Sequence, residues 1–298
     1  AFTARTIDGH WWGVETPEGL AEQLGHSDTG VATGEESVNA YMTFDEDGNV
    51  LELEIVKQLH HANICAYHDS GETFIEGTRY VYLVYDFISG ETAAQKTIRG
   101  QRCTVYDAKQ IVIGVLNGLK FLHNLPRPII HNELTTQNVM LDISSGAPMA
   151  KIIDFGHARY QDQPVSSFKR EGLNPFYLAP EALNGIFSPQ SDIFSVGVML
   201  YQLLFGMLPY FTDLSGYPKA KDSQIEAIES ARTKGLRIPD TNKFELDEQL
   251  INTMSKALAI DIKDRFLCTE DFIKALNGEI HVEPIATKTA SPTFSSNS

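Results

Sequence analysis

The sequence predicts an α+β fold in two lobes, a small strand-rich one followed by a larger helical one. Two observations carry this reading. Up to about residue 88 the apolar residues fall in short runs broken by Gly, Thr and Asp, whereas from Asp107 onward they recur at helical spacing. No repeat at a fixed period is visible, which argues against solenoid and propeller arrays. The chain has 298 residues, 42% of them hydrophobic, enough to build a large buried core.

Taken in order, the stretch to about Phe44 suits strands and tight turns. Asp45-Glu46-Asp47-Gly48-Asn49 is a turn signal, and Leu51, Ile55, Val56 and Leu59 after it share one helical face. Residues 80–88 read as a buried strand that closes at Ser89-Gly90. Ile111, Val112, Val115, Leu116, Leu119, Phe121 and Leu122 form the broad apolar face of a helix. Helical patterns follow at 193–204, 223–233, 246–257 and 269–276. The most apolar segment, 194–211, contains Ser195, Gln202, Gly206 and Pro209, which marks a core helix rather than a membrane span. From about Glu283 the chain is rich in Ser, Thr and Pro and reads as a tail with no core of its own.

The 24 basic and 39 acidic residues give a formal net charge of −15. Such a surface repels nucleic acid and anionic lipid, so a protein partner is expected, with no nucleic acid and no membrane insertion. Cys65, Cys103 and Cys268 lie far apart without CxxC spacing. They suggest neither a zinc site nor a disulfide framework, and a reducing, cytoplasmic setting is the expectation. His60 and His61 are neighbours on a predicted helix and face different ways, which disfavours a metal pair.

Three short motifs then appear in order: His131-Asn132-Glu133-Leu134-Thr135-Thr136-Gln137-Asn138, Asp154-Phe155-Gly156 and Ala179-Pro180-Glu181. Each alone is weak. Together, at this spacing, they resemble the catalytic loop, the DFG turn and the APE end of the activation segment of the protein kinase superfamily. Ser191-Asp192-Ile193-Phe194-Ser195-Val196-Gly197 is similar to the start of the central helix of the kinase C-lobe, and Leu59-His60-His61-Ala62-Asn63-Ile64 to the segment after helix αC. Tyr82-Leu83-Val84-Tyr85-Asp86-Phe87 resembles the strand entering the hinge, with Tyr85 as gatekeeper. The resemblance covers about residues 35–276.

The resemblance implies a bilobal kinase-like fold. Its N-lobe spans residues 1–88 with a divergent glycine loop and a hinge strand, its C-lobe 89–281, and a flexible tail 282–298. It implies Mg²⁺ and ATP as cofactors, with Asn138 and Asp154 as metal ligands. Asp86, Ile88, Glu91 and Met140, together with Asn138 and Asp154, would meet the nucleotide, and Glu133 stands at the catalytic base. Structural roles fall to Glu52 on αC, to His131 packed on the DFG backbone, to Asp192 bracing the catalytic loop, and to Arg265 pairing with Glu181.

Several parts of the kinase site are replaced. Tyr41 or Met42 stands where the strand-three lysine belongs, and Arg5, Lys57 and Arg79 are the only basic residues before Lys96. Losing a charge-assisted phosphate contact of about 1.5–3 kcal/mol weakens stabilisation by about ten- to a hundredfold. Glu133 replaces aspartate at the base, and its extra methylene moves the carboxylate by about 1 Å, a misplacement that can cost ~10²-fold. Thr135 and Thr136 stand where a cation normally meets the γ-phosphate, and Asn174 replaces a threonine. Asn132 replaces the arginine that receives an activation-loop phosphate, so phosphorylation at Ser166 or Ser167 is not expected to order that segment in the usual way. The glycine loop has two placements, 24–31 and 9–14, each partial.

The sequence therefore points to a pseudokinase, a scaffold or allosteric partner with absent or very weak phosphotransfer that still has half a nucleotide site. Two alternatives stay open. One is an active, atypical Ser/Thr kinase using Glu133 as base with Mg-ATP, in which Lys57 is the relocated cation to inspect. The other is a different ATP-dependent transferase on the same fold.

Overall fold

A computed structural model of the chain describes residues 2–5, 11–14, 50–75, 78–97, 102–163, 173–210, 221–239 and 246–284. The N-terminal part is a four-stranded antiparallel sheet of β1 (Phe2–Arg5), β2 (Trp11–Val14), β3 (Tyr67–Ile75) and β4 (Thr78–Asp86), in the order β2-β1-β4-β3. Helix α1 (Leu51–Val56) precedes β3, with Leu51, Ile55 and Val56 buried. The helical spacing noted above also included Leu59. That residue is buried but lies beyond the last turn, as do His60 and His61, so these histidines sit on a loop rather than a helix. The ring of His61 stacks on Phe121 at 5.3 Å.

The loop after α1 is stitched to the rest of the molecule. The amides of Cys65 and Ile152 donate to the carbonyls of Ile152 and Asn63, each at 2.9 Å. Ile152 ends β8 (Met149–Ile152), which with β7 (Val139–Asp142) and β5 (Gly90–Thr92) forms a three-stranded sheet, ordered β5-β7-β8. A side chain at Gly90 would run into the carbonyl of Leu141, which makes glycine necessary at that crossing.

Helices build the remainder: α2 (Ala93–Thr97), α3 (Val105–His123), α4 (Pro180–Leu183), α5 (Pro189–Phe205), α6 (Lys221–Thr233), α7 (Glu248–Ala257) and α8 (Thr269–Leu276). The start of α3 is fixed by Thr104, whose hydroxyl accepts from the Asp107 amide at 3.0 Å. Its buried face presents Ile111, Val115, Leu119 and Leu122. Gly118 lets it lie directly on β8, since a Cβ there would sit 2.8 Å from Ile152 Cδ1. The apolar α5 is buried along nearly its whole length. Pro189 and a Ser188–Ser191 capping box start it, and Gly206 ends it in the left-handed conformation at φ 70°. Among the described residues no helix is long and apolar enough to cross a membrane. The four-stranded sheet lies in the first third and the long helices in the remainder, around the smaller β5-β7-β8 sheet, in keeping with the α+β arrangement the sequence predicts.

Candidate functional site

The segment 131–138 lies between the short strand β6 (Ile129–Ile130) and β7, and its shape is set by Asp192 in the first turn of α5. The Asp192 carboxylate is 1% exposed and accepts from the amides of His131 (2.9 Å) and Asn132 (3.0 Å). A third contact comes from His123, whose Nε2 lies 2.9 Å from Asp192 Oδ2. The N-terminal end of a helix also favours a buried carboxylate.

His131 is fully buried with its ring 5.0 Å from that of Phe155. Its Nδ1 accepts from the Glu133 amide at 3.3 Å, and its Nε2 faces the Ile153 carbonyl at 3.4 Å. This pattern belongs to a neutral ring protonated on Nε2. Asn132 adopts φ 66°, a left-handed conformation that asparagine tolerates better than most side chains. Its amide Nδ2 donates to the His157 carbonyl at 3.0 Å. The Glu133 carboxylate is partly buried, with Oε2 3.7 Å from His157 Nε2.

Asn138 and Asp154 are brought together by the β7–β8 ladder. Val139 is paired with Ile152, and one step further the Ile153 amide donates to the Asn138 carbonyl at 3.0 Å. Asn138 Nδ2 donates to the Glu133 carbonyl at 2.8 Å, which leaves the side-chain oxygen as the atom it can offer a ligand. Asp154 stands at φ 65°, and its Oδ1 accepts from the Gly156 amide at 3.1 Å. One amide oxygen and one carboxylate fit Mg²⁺, which takes few protein ligands and completes its shell with phosphate oxygens and water. Among the described residues no group of three or more His, Cys, Asp or Glu forms a closed metal cage, so such an ion would depend on the nucleotide.

Glu52 on α1 accepts a hydrogen bond from the hydroxyl of the buried Tyr85 at 3.1 Å. Lys57 lies at the exposed end of the same helix, 3.5 Å from Glu54. The strand beside β4 is β1, in a register that sets Thr3 opposite Tyr85 and Arg5 opposite Leu83. Tyr41, Met42 and the glycine-loop placement 24–31 lie outside the described residues. In the other placement, 9–14, residues 11–14 form the edge strand β2.

Along the hinge, the Asp86 amide donates to the Ala66 carbonyl at 2.8 Å and the Asp86 carboxylate contacts His68 Nε2. Ile88 is buried, Glu91 is exposed on β5, and Met140 is partly buried opposite Thr92. Beneath the hinge, burial pushes the Cys65 thiol up to about 12.

The two threonines of the loop turn inward. Thr135 caps its own turn by accepting from the Gln137 amide at 3.2 Å, and the Thr136 hydroxyl lies 3.1 Å from that of Tyr177. Tyr177 in turn bonds to Gln202 of α5. At the end of this segment, Glu181 and Arg265 form a two-pronged ion pair at 2.6 and 2.8 Å. Arg232 of α6 reaches the same segment from below, donating to the Leu178 carbonyl at 2.5 Å, and burial pushes its guanidinium down to about 10.

Sequence reasoning missed His123, His157 and Arg232. His157 follows the glycine of the Asp154-Phe155-Gly156 motif, the one signal that could have drawn attention to it. Nothing in the local pattern marks the other two.

The family model of the protein kinase domain matches residues 36–274. Among curated proteins, the chain is 31% identical over 238 residues to calcium-dependent protein kinase 4 of Plasmodium falciparum, covering 73% of this chain and 44% of that protein. It is 28% identical over 222 residues to the serine/threonine-protein kinase atg1 of Dictyostelium discoideum, covering 74% and 30%. It is 26% identical over 245 residues to a probable serine/threonine-protein kinase PknB of Bifidobacterium longum, covering 78% and 33%. The chain thus spans less than half the length of these relatives. On its motifs, its fold and this match, the chain belongs to the protein kinase superfamily.

Proposed function

We propose that this chain is a pseudokinase that retains a Mg²⁺-dependent nucleotide site and acts through a protein partner, with absent or very weak phosphotransfer. The observation that carries the reading is the asymmetry of the site. Asn138 and Asp154 stand at the same end of the strand ladder in the backbone, a placement that supports binding of a hard cation. By contrast, Glu52 is engaged by the Tyr85 phenol, and Lys57 lies at the surface beside Glu54. Thr135 and Thr136 bond within the protein, so the loop brings no cation to a transferring phosphoryl group. Phosphoryl transfer relies chiefly on positioning and charge neutralisation, and the second of these is what the sequence has lost.

When bound, Mg²⁺ would supply charge neutralisation between nucleotide phosphates. The residues of this chain would contribute the side-chain oxygens of Asn138 and Asp154, a partly buried apolar surface at Met140, and the exposed carboxylate of Glu91 near the sugar. A fold kept intact around a depleted site supports action through a protein partner.

Calorimetric titration of ATP, with and without Mg²⁺, tests the reading. Binding that needs Mg²⁺ and vanishes in Asp154→Ala is the expected result. Absence of binding at millimolar ATP overturns the nucleotide site, and turnover in the range of active kinases overturns the pseudokinase.

A second reading, an active atypical kinase with Glu133 as base, is favoured by one observation. The backbone register puts a basic residue, Arg5, in the strand beside β4, two places along from the position opposite Tyr85.

A further inference from the structure

The segment that follows Phe155 and the catalytic loop are joined at residue 157 by two contacts running in opposite directions. Asn132 Nδ2 donates to the main-chain carbonyl of His157 at 3.0 Å. The His157 ring returns toward the loop, with Nε2 3.7 Å from Glu133 Oε2. Both side chains of the second contact are largely enclosed, at 13% and 17% exposure, so solvent screens it less than a surface pair. At 3.7 Å the contact is longer than a direct hydrogen bond, and it is an ion pair only when His157 is protonated.

Glutamate in place of aspartate adds a rotatable bond to the residue at the base position, and a freely turning carboxylate would not be held toward the site. The backbone of Glu133 is fixed at both ends, its amide on His131 and its carbonyl on Asn138. Its carboxylate lies 3.7 Å from the His157 ring.

We infer that His157 is a positioning residue for the Glu133 carboxylate, and that Asn132 and His157 form a clasp tying the catalytic loop to the Asp154-Phe155-Gly156 turn. The clasp joins one side chain to a main-chain carbonyl and one side chain to another. The inference rests on the reading of residues 133, 138 and 154 as the end of the site that faces the nucleotide.

Amide hydrogen exchange of the whole chain, without nucleotide, tests the clasp independently of ATP binding. In His157→Ala, exchange in 131–139 and 153–158 is expected to rise together by about tenfold, with α8 unchanged. Glu133→Ala should raise exchange in 153–158 to a similar extent, and the double variant should add little to either single one. His157→Gln, which keeps a nitrogen donor at similar reach, should restore protection of both segments. Independent effects in the double variant, or no rescue by glutamine, overturn the positioning role. If His157→Ala fails to fold, the Glu133→Ala and His157→Gln comparison decides alone. A chain that shows the coupled exchange but no heat with Mg-ATP would keep the clasp and lose the nucleotide site.

Discussion

The phenol of Tyr85 donates a 3.1 Å hydrogen bond to the carboxylate of Glu52, so the residue at the gatekeeper position grips the α1 glutamate. Tyr85 is 1% exposed and Glu52 is partly buried, which makes the bond more consequential than one at the surface. Tyr85→Phe removes the donor and keeps the ring. A loss of about 1–2 kcal/mol in unfolding free energy is expected, checked by urea denaturation at neutral pH. Glu52→Gln should cost less, since the amide oxygen still accepts. Equal stability of Tyr85→Phe and the parent would mean the bond is not made in solution.

The pair of Arg265 with Glu181 is the other strong test of the fold. Arg265 has a fully buried side chain, and besides the carboxylate it donates to the carbonyls of Ala259, Gln190 and Ile260. Glu181→Ala leaves the guanidinium with neutral acceptors only, a loss on the order of 3–5 kcal/mol. Arg265→Lys is expected to fail as well, because an ammonium cannot match two carboxylate oxygens and three carbonyls at once. Denaturation midpoints of both variants check this, and a change below about 1 kcal/mol for Glu181→Ala would assign the pair the weight of a surface contact.

The helical half was legible because its apolar residues repeat at the helical period: α8 spans Thr269–Leu276 as the pattern indicated, and α7 and α6 differ from it by two residues at one end. The strand predicted at 80–88 is β4, Thr78–Asp86, displaced by two residues because Phe87 and Ile88 follow the ladder without joining it. The motifs of the site were legible as letters in order. Part of their bonding was not. The hold of His123 on Asp192 joins residues 69 apart, and that of Tyr85 on Glu52 residues 33 apart. No period or local propensity encodes such pairs, since they arise only when α3, α5, α1 and β4 have packed. Lys57 shows the same limit, for a residue one position past α1 turns to Glu54 for reasons of helix geometry that motif order does not contain.

Acid sensitivity is expected at Asp142. Burial pushes its carboxyl up, but the hydrogen bonds from Ser144 and the nearby Lys151 charge outweigh this and hold it below the ordinary aspartate value. The Ser144 amide donates to Oδ1 at 3.0 Å, and Lys151 Nζ lies 3.9 Å from Oδ2. A carboxyl lowered on folding contributes stability at pH above its unfolded value, about 3.9, and loses it as the pH falls through that value toward the lower folded one. Asp142→Asn should therefore be less stable than the parent at pH 6, with the difference narrowing as the pH falls below about 4. Urea midpoints across that range check it, and a difference that stays constant throughout would remove Asp142 from the acid response.

Thiol reactivity should separate the three cysteines. Cys268 is exposed, whereas Cys65 and Cys103 are buried, and burial raises the pKa of both. The thiolate is the reactive form. In the folded protein iodoacetamide at pH 8 should alkylate Cys268 alone, with Cys65 and Cys103 reacting after denaturation. Peptide mass mapping reads the result, and early labelling of Cys65 would show that the hinge opens in solution.

The register of β1 on β4 makes Arg5 and Lys57 the pair that separates a pseudokinase from an atypical kinase. Arg5 stands opposite Leu83 in the strand beside β4, while Lys57 pairs with Glu54 at the surface. If phosphotransfer is absent, Arg5→Ala and Lys57→Ala leave phosphate incorporation into a generic basic protein at background, as does Glu133→Ala. If a weak activity exists and Arg5 supports it, Arg5→Ala should reduce it by about ten- to a hundredfold, the worth of one charge-assisted phosphate contact, while Lys57→Ala has no effect. A loss in Lys57→Ala with Arg5→Ala unchanged would require the residue that follows α1 to turn into the cleft. That outcome would contradict the Glu54 pairing and replace Arg5 with Lys57 as the working cation.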